Sequence, residues 1–308
     1  MMTKNQTTIA SEAIITGRGL HSGNQVKLHF KPAPACHGIV FKRIDLAEKP
    51  TIRAHISNVS DTSRSTNLRE NNADIKTVEH LMAALAGSYI DNLLIEIDAP
   101  ELPILDGSAK KYVEKLQEAG IEILDEKKEY YTVTEVVKFE KPDLGIELIL
   151  VPSAHFKMSV MVDYGTDILA TQNATINSMD DFVKEISKCR TFAFIHELDF
   201  LIKNNLVKGG DVNNAIVFID KKPAQEVLNN LAQFFNMANI EITEQGTLNN
   251  VQLHFNNEPA RHKLLDLVGD LYLLGKQLKG EIIAKKPGHF ANIEFAKLIA
   301  ECAISTIK

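Results

Sequence analysis

A chain of 308 residues is long for one ordinary core and points to two domains, or to one large α/β domain. Its 44% hydrophobic and 24% charged residues are an ordinary globular balance with no bias toward disorder. A formal net charge of −6 argues against nucleic acid as the main partner, because phosphate binding needs a basic surface, yet leaves room for one local basic pocket.

Cys36, Cys189 and Cys302 lie far apart and make neither a disulfide framework nor a thiolate zinc site. The opening residues Met1–Thr8 lack the apolar stretch of a signal peptide. No run approaches the roughly 18 consecutive apolar residues of a membrane-spanning helix. These features fit a reducing, aqueous compartment, so the cytoplasm is the expected location. Nothing in the sequence sets the oligomeric state.

In chain order, Thr7–Ile15 and Gln25–Lys31 read as strands, with Gly17, Gly19 and Gly23 punctuating the turn between them. Lys76–Ala86 has helical spacing, with Val78, Leu81, Met82 and Leu85 on one stripe. Asn92–Ile97 reads as a buried strand, and the Pro100–Pro103 turn leads to a helix over Ser108–Ala119. The polar stretch Asp125–Glu129 reads as a linker, dividing the chain into residues 1–126 and 127–308. The second part repeats the order of elements without a convincing sequence repeat. Strands are expected at Tyr131–Phe139, Ile146–Val151, Lys157–Asp163 and Glu281–Ala284. Helices are expected at Asp180–Ser187, Glu258–Gln277 and Phe290–Ile304. An apolar insert between Thr191 and Phe218 ends in the flexible turn Lys208-Gly-Gly210.

Three segments carry side chains suited to chemistry. On a helix, with His262 at 0°, Asp266 falls at about 40°, Asp270 at about 80° and Lys263 at about 100°. Leu264, Leu267, Val268 and Leu271 fall on a separate apolar face. A histidine and a carboxylate at this spacing can converge on one metal ion; a solvated face with intrahelical ion pairs fits the same pattern. In Thr77-Val78-Glu79-His80, His80 points away from the Val78 stripe, at about 200° to it. Glu79 beside it is placed to reach a metal-bound water without being a ligand, although a Glu-His pair is also common surface decoration. Lys285-Lys286-Pro287-Gly288-His289 sits where a strand meets a helix. It suits phosphate contact, or is an ordinary turn. The His-Glu-x-x-His pattern of zinc proteases is absent. Gly17–Gly23 misses the dinucleotide spacing and leads into a strand, which rejects a Rossmann site, and there is no Walker loop.

Taken together, Thr77–Leu85, Asp91-Asn92, Ala99–Glu101, Asp106–Ser108, Cys189–Phe192, Lys208–Gly210, His262–Asp270 and Gly288-His289 resemble the UDP-3-O-acyl-N-acetylglucosamine deacetylases of lipid A synthesis. The match spans nearly the whole chain, in the family's order. The resemblance implies an α+β fold of two domains, each a small sheet with packed helices, and an active site between them. It implies Zn2+ held by His80, His262 and Asp266, with Glu79 as general base. Thr191 would stabilise the oxyanion, and His289, kept protonated by Asp270, would be the general acid. Lys263 would contact the substrate and Lys286 the diphosphate. The insert, with Phe192, Phe194, Leu198 and Leu201, would form the acyl passage. The implied substrate is a UDP-sugar with a 3-O-acyl chain, which loses its N-acetyl group as acetate. Pro287 stands where the family pattern suggests a small residue. Some members are fused to a hydroxyacyl-carrier-protein dehydratase, and the chain is compatible with the first part of such a fusion. The rival readings are a zinc amide hydrolase acting on another acylated sugar and a non-catalytic sugar-nucleotide-binding protein.

Overall fold

Two five-stranded sheets with the same strand order organise the protein in the computed structural model, which describes residues 4–166, 168–198, 207–211, 213–220, 223, 225–234, 242–243, 246–248 and 251–307. The first runs Ala13–Arg18, Gln25–Pro32, Leu93–Ile97, Ile39–Arg43, Thr51–Arg53 across its width. The second runs Val137–Lys141, Ile146–Val151, Gly280–Lys285, Phe156–Val162, Gln172–Ile176. In each, the third and fourth strands are parallel and every other neighbour is antiparallel. The period-2 pattern sets the register of burial: Val26, Leu28 and Phe30 face the core while Gln25 and Lys27 are exposed. The similar order of elements read from the sequence is thus a shared topology.

Five helices matter here: α1 (Glu79–Gly87), α2 (Lys110–Ala119), α3 (Gln225–Phe234), α4 (Glu258–Tyr272) and α5 (His289–Cys302). α1 precedes the central strand Leu93–Ile97 and α2 follows it; α4 and α5 bracket Gly280–Lys285 in the same way. Every residue of α1 is buried, as a helix apolar on most sides requires. Its main packing partner is α4. The approach is so close that a methyl group on Gly269 would lie 2.0 Å from the Glu79 carbonyl oxygen and 3.1 Å from the Ala83 nitrogen. One apolar core is continuous through both sheets and both helices, including Leu81, Leu85, Leu264 and Val268.

Several boundaries differ from the sequence expectation for local reasons. Thr7–Ile15 is two strands; Asn5–Ile9 pairs with Ile121–Lys127, and Ala13–Arg18 enters the first large sheet. Asp125–Glu129 is therefore not a free linker. Its first residues belong to the strand Ile121–Lys127, and Lys128 is buried against Asp91 at 2.9 Å. Tyr131–Phe139 is also two strands, Glu129–Thr132 and Val137–Lys141. In place of a helix at Asp180–Ser187 there is a 3₁₀ turn, Met179–Asp181, and a single wide π turn, Phe182–Ile186. α4 stops at Tyr272, ahead of Gly275 at φ +80° and the short strand Gln277–Leu278. In the insert, Phe192–Phe194 pairs in parallel with Ile216–Phe218.

Gly269→Ala should destabilise the protein by about 1–3 kcal/mol, because the clash is with the α1 backbone, which has no side-chain rotation to relieve it. A thermal melt should show a midpoint lowered by several degrees. An unchanged midpoint would mean that the two helices can separate without cost.

Candidate metal centre

The α1–α4 crossing brings the polar face of α4 against the first turn of α1. Thr77, at φ +61°, turns the chain into α1, and the Val78 N–H donates to the Thr66 carbonyl at 3.1 Å. Glu79 and His80 thus enter at the end of α1 that meets α4. On α4, His262, Asp266 and Asp270 follow one another at four-residue spacing on one face. That face is not solvated: Glu79, His80, His262, Asp266 and Asp270 are all at most 5% exposed.

His80 and His262 meet edge to face, with centroids 5.1 Å apart. Asp266 Oδ1 lies 3.4 Å from His262 Nε2 and 3.7 Å from His80 Nε2. One ligand atom from each of the three lies within 4.8 Å of the others. Asp266 Oδ2 accepts from Lys263 Nζ at 2.8 Å, whereas Oδ1 is buried and accepts no hydrogen bond. An unpartnered buried carboxylate oxygen between two imidazoles is costly in a protein interior unless a cation meets it. Two imidazole nitrogens and one carboxylate oxygen suit a zinc-type ion, and three protein ligands leave a position open. These residues fit a bound divalent metal.

Protonation agrees with that fit. Burial, then the neighbouring His262, pushes His80 down to about 3. Burial likewise lowers His262. Both rings are therefore neutral near pH 7, with lone pairs to offer. Cys189 O accepts from His262 Nδ1 at 3.0 Å, which leaves Nε2 directed at the cluster. Burial opposes the charge on Asp266, yet His262, Lys263, His289 and His80 hold its carboxyl well below the usual carboxylate range. Burial would also lower Lys263, but Asp266, with Tyr164 and Asp270, together more than offset it and keep the ammonium charged.

Beside this trio lies a second set. Asp270 accepts from Thr66 Oγ1 at 2.5 Å, His289 Nδ1 at 2.9 Å and Asn292 Nδ2 at 2.8 Å. Burial pulls His289 down, but the Asp270 carboxylate, with Glu79 and Asp266, together outweigh it and raise the ring to about 9. Glu79 Oε2 accepts from the Thr66 N–H at 3.0 Å, and Oε1 is 4.0 Å from His289 Nε2. Burial is the largest influence on Glu79 and pushes it up to about 7. A carboxylate poised to exchange a proton and an imidazolium poised to give one thus face each other beside the trio.

The structure therefore gathers Glu79, His80, His262, Lys263, Asp266, Asp270 and His289. Phe192 joins them, its ring 6.3 Å from His262 and 5.7 Å from the Lys263 ammonium. Thr191 lies in the wall of an adjoining groove with Leu20, His21, Phe192, Leu198 and Val217. Phe194 and Leu198 sit in two small apolar clusters of the insert, and Leu201 lies outside the described residues. Lys286 is half-buried with its ammonium 3.8 Å from Asp163; its polar partners are Asp163 and the Met161 carbonyl rather than the buried cluster. Sequence reasoning missed Thr66, Asn292 and the Cys189 carbonyl. Asn292 is three residues after His289, on the same helical face, which is a readable signal. Thr66 carries none.

The chain as a whole is similar to known proteins. Residues 6–236 and 228–301 match the family described as UDP-3-O-acyl N-acetylglycosamine deacetylase (LpxC). The chain is 40% identical over 302 residues to the bifunctional enzyme LpxC/FabZ of Chlorobaculum tepidum, covering 97% of this chain and 65% of that protein. It is 41% identical over 292 residues to the bifunctional enzyme of the same name from Bacteroides thetaiotaomicron, covering 95% of this chain and 63% of that protein. To the UDP-3-O-acyl-N-acetylglucosamine deacetylase of Pseudomonas entomophila it is 40% identical over 300 residues, covering 96% and 90%. It thus spans less than two thirds of the length of the two bifunctional relatives. With the match running almost end to end, the chain belongs to the UDP-3-O-acyl N-acetylglycosamine deacetylase family.

Proposed function

We propose that this protein hydrolyses the N-acetyl group of UDP-3-O-acyl-N-acetylglucosamine, an early step of lipid A synthesis, using an ion held by His80, His262 and Asp266. The observation that carries the reading is the buried, unpartnered Asp266 Oδ1 between two neutral imidazoles, with Glu79 and His289 facing each other beside it. A bound zinc-type ion supplies Lewis acidity and makes water at the site easier to deprotonate. Glu79 takes a proton from the attacking water; its carboxyl, raised by burial to about 7, is basic enough to accept one. His289 holds its proton on Nε2, because Nδ1 donates to Asp270, and gives it to the departing amine as the C–N bond breaks. The oxygen gained from water leaves in acetate. Thr191 is assigned to the developing oxyanion, Lys263 to substrate contact and Lys286 to the diphosphate.

The acyl chain is assigned to the groove beside Thr191. Its apolar wall includes Phe192, Leu198, Val207 and Val217, and Phe192 connects it to His262. No described helix is long and apolar enough to cross a membrane. A cytoplasmic location is part of the proposal and rests on the sparse cysteines, all three of which are free.

Acetate release from the acylated sugar nucleotide, measured with and without a chelator, tests the activity. Zinc-dependent release is expected; release that persists after complete metal removal would overturn it. His80→Ala, His262→Ala and Asp266→Ala should each lose tight zinc and nearly all activity, as read by metal analysis of the purified variants. Glu79→Gln should retain the metal and slow the reaction by ~10² to 10⁴. A His262→Ala protein still carrying one tight zinc at this site would show the ligand assignment to be wrong.

The pH dependence follows from the sign of the His289 shift. Its raised value means that the acid form is present below about 9 and is lost as pH rises through about 9. The rate should fall over that interval, and His289→Ala should flatten this basic limb. Asp270→Asn removes the carboxylate that holds the proton, so the limb should move to lower pH. A limb unmoved by both substitutions would assign the proton to another group.

Leu198→Ala tests the passage. Losing contact with two methylenes at ~0.8 kcal/mol each lowers kcat/KM about tenfold for long acyl chains, and leaves short ones unaffected. Equal loss at every chain length with a lowered melting point would return Leu198 to a packing role.

A further inference from the structure

We propose that Arg190 and Glu258 form a clamp that positions His262 by fixing which ring nitrogen carries its proton. The significance of this for function rests on the metal-centre reading above. Glu258 is the first residue of α4 and is fully buried, so its charge is tolerable only if well satisfied. Its Oε1 accepts from the backbone N–H of Arg190 at 3.0 Å and from Arg190 Nε at 2.9 Å. Its Oε2 accepts from Arg190 Nη2 at 3.1 Å and from the His254 N–H at 2.7 Å. Arg190 Nη2 also donates to the Gln252 carbonyl at 2.8 Å. A paired guanidinium and carboxylate of this kind fixes direction as well as distance.

That geometry ties residue 190 to the first turn of α4, and His262 stands one turn further along. The residue just before the clamp, Cys189, places its carbonyl 3.0 Å from His262 Nδ1. A carbonyl can only accept, so the bond holds the hydrogen on Nδ1 and leaves the Nε2 lone pair for the cluster. Two residues after Arg190, the Phe192 ring meets the imidazole edge to face, with centroids 6.3 Å apart. Residues 189–192 therefore flank His262, and among the described residues the only side chain anchoring this stretch to α4 by an ion pair is Arg190. Arg190 and Glu258 have no hydrogen bond or ion pair with His80, His262 or Asp266. They act through the Cys189 carbonyl as positioning residues. An independent tie from Arg261 Nη1 to the Glu185 carbonyl at 2.9 Å and to its carboxylate at 3.0 Å holds the preceding turn on α4, so loss of the Arg190 side chain leaves the fold supported.

The test uses nitrogen NMR of labelled histidines in the metal-free protein, together with zinc affinity by competition with a chelating dye. Wild type should show His262 as the Nδ1–H tautomer. Arg190→Ala should mix the tautomers and weaken zinc ~10–100-fold, the usual effect of removing a group that orients a ligand. Arg190→Lys, which keeps the charge but not the fork, should fall between, and it supplies the answer if Arg190→Ala does not fold. Glu258→Gln should act in the same direction. A folded Arg190→Ala protein with unchanged tautomer and unchanged zinc affinity would overturn the clamp. If the tautomer depends on Arg190 but wild type takes up no zinc, the clamp stands and the metal-centre reading falls.

Discussion

Where Gly269 of α4 lies against the Glu79 carbonyl of α1, no space remains for a side chain, and this contact is what brings the two helices' polar groups together. A histidine on α1 meets a carboxylate on α4 only because their backbones nearly touch. Even a methyl group at residue 269 would lie inside contact distance of the α1 backbone, so the helices would have to move apart to hold it. Both helices are buried on nearly all sides, so the crossing is held by the apolar core rather than by the polar groups it encloses. The core does the positioning, and the polar cluster inherits it.

Enclosing so many ionisable groups has an electrostatic cost, and the way it is offset divides the groups by role. Asp266 is paired with the Lys263 ammonium and Asp270 with the His289 ring, at 2.8 and 2.9 Å. Glu79 has no cation at such range; its nearest is His289 Nε2 at 4.0 Å. Desolvation is the largest influence on Glu79 and moves its carboxyl toward neutrality, whereas at Asp266 the surrounding cationic and imidazole groups together outweigh burial and keep the carboxyl ionised. Like residues in one pocket acquire different chemistry from their partners rather than from their own structure.

The arc of His262, Asp266 and Asp270 was legible in the sequence because helix geometry alone generates it. The outward direction of His80 followed from the same rule. Whether either face was dry was not legible, since that depends on α1 and α4 finding each other across 180 residues of chain. Thr66 donates to Asp270 over a separation of 204 residues, and no local pattern announces such a contact. The Cys189 carbonyl is invisible for a different reason: every residue has one, and only its placement matters. In the fold, the buried strands declared themselves by alternation. Ile121–Lys127 did not, because its residues are largely exposed, and its last three, Asp125–Lys127, read as the start of a linker until Asn5–Ile9 is seen beside the strand. The apolar periodicity of α4 ran on past its real end, since Leu273 and Leu274 stay buried after the helix has stopped.

The shared strand order has a consequence for how one centre can serve two halves. α1 and α4 occupy the same place in their respective sheets, each leading into the central strand, and they pack on each other. A contact between corresponding elements is comparable to that of an isologous dimer, in which a surface meets its own copy. Two identical chains meeting this way would have to present the same residues from both sides. A single chain carrying both halves is released from that identity. One helix is free to contribute Glu79 and His80, and its counterpart His262, Lys263, Asp266 and Asp270. The unequal division of ionisable groups between the two halves is, in that sense, a broken symmetry.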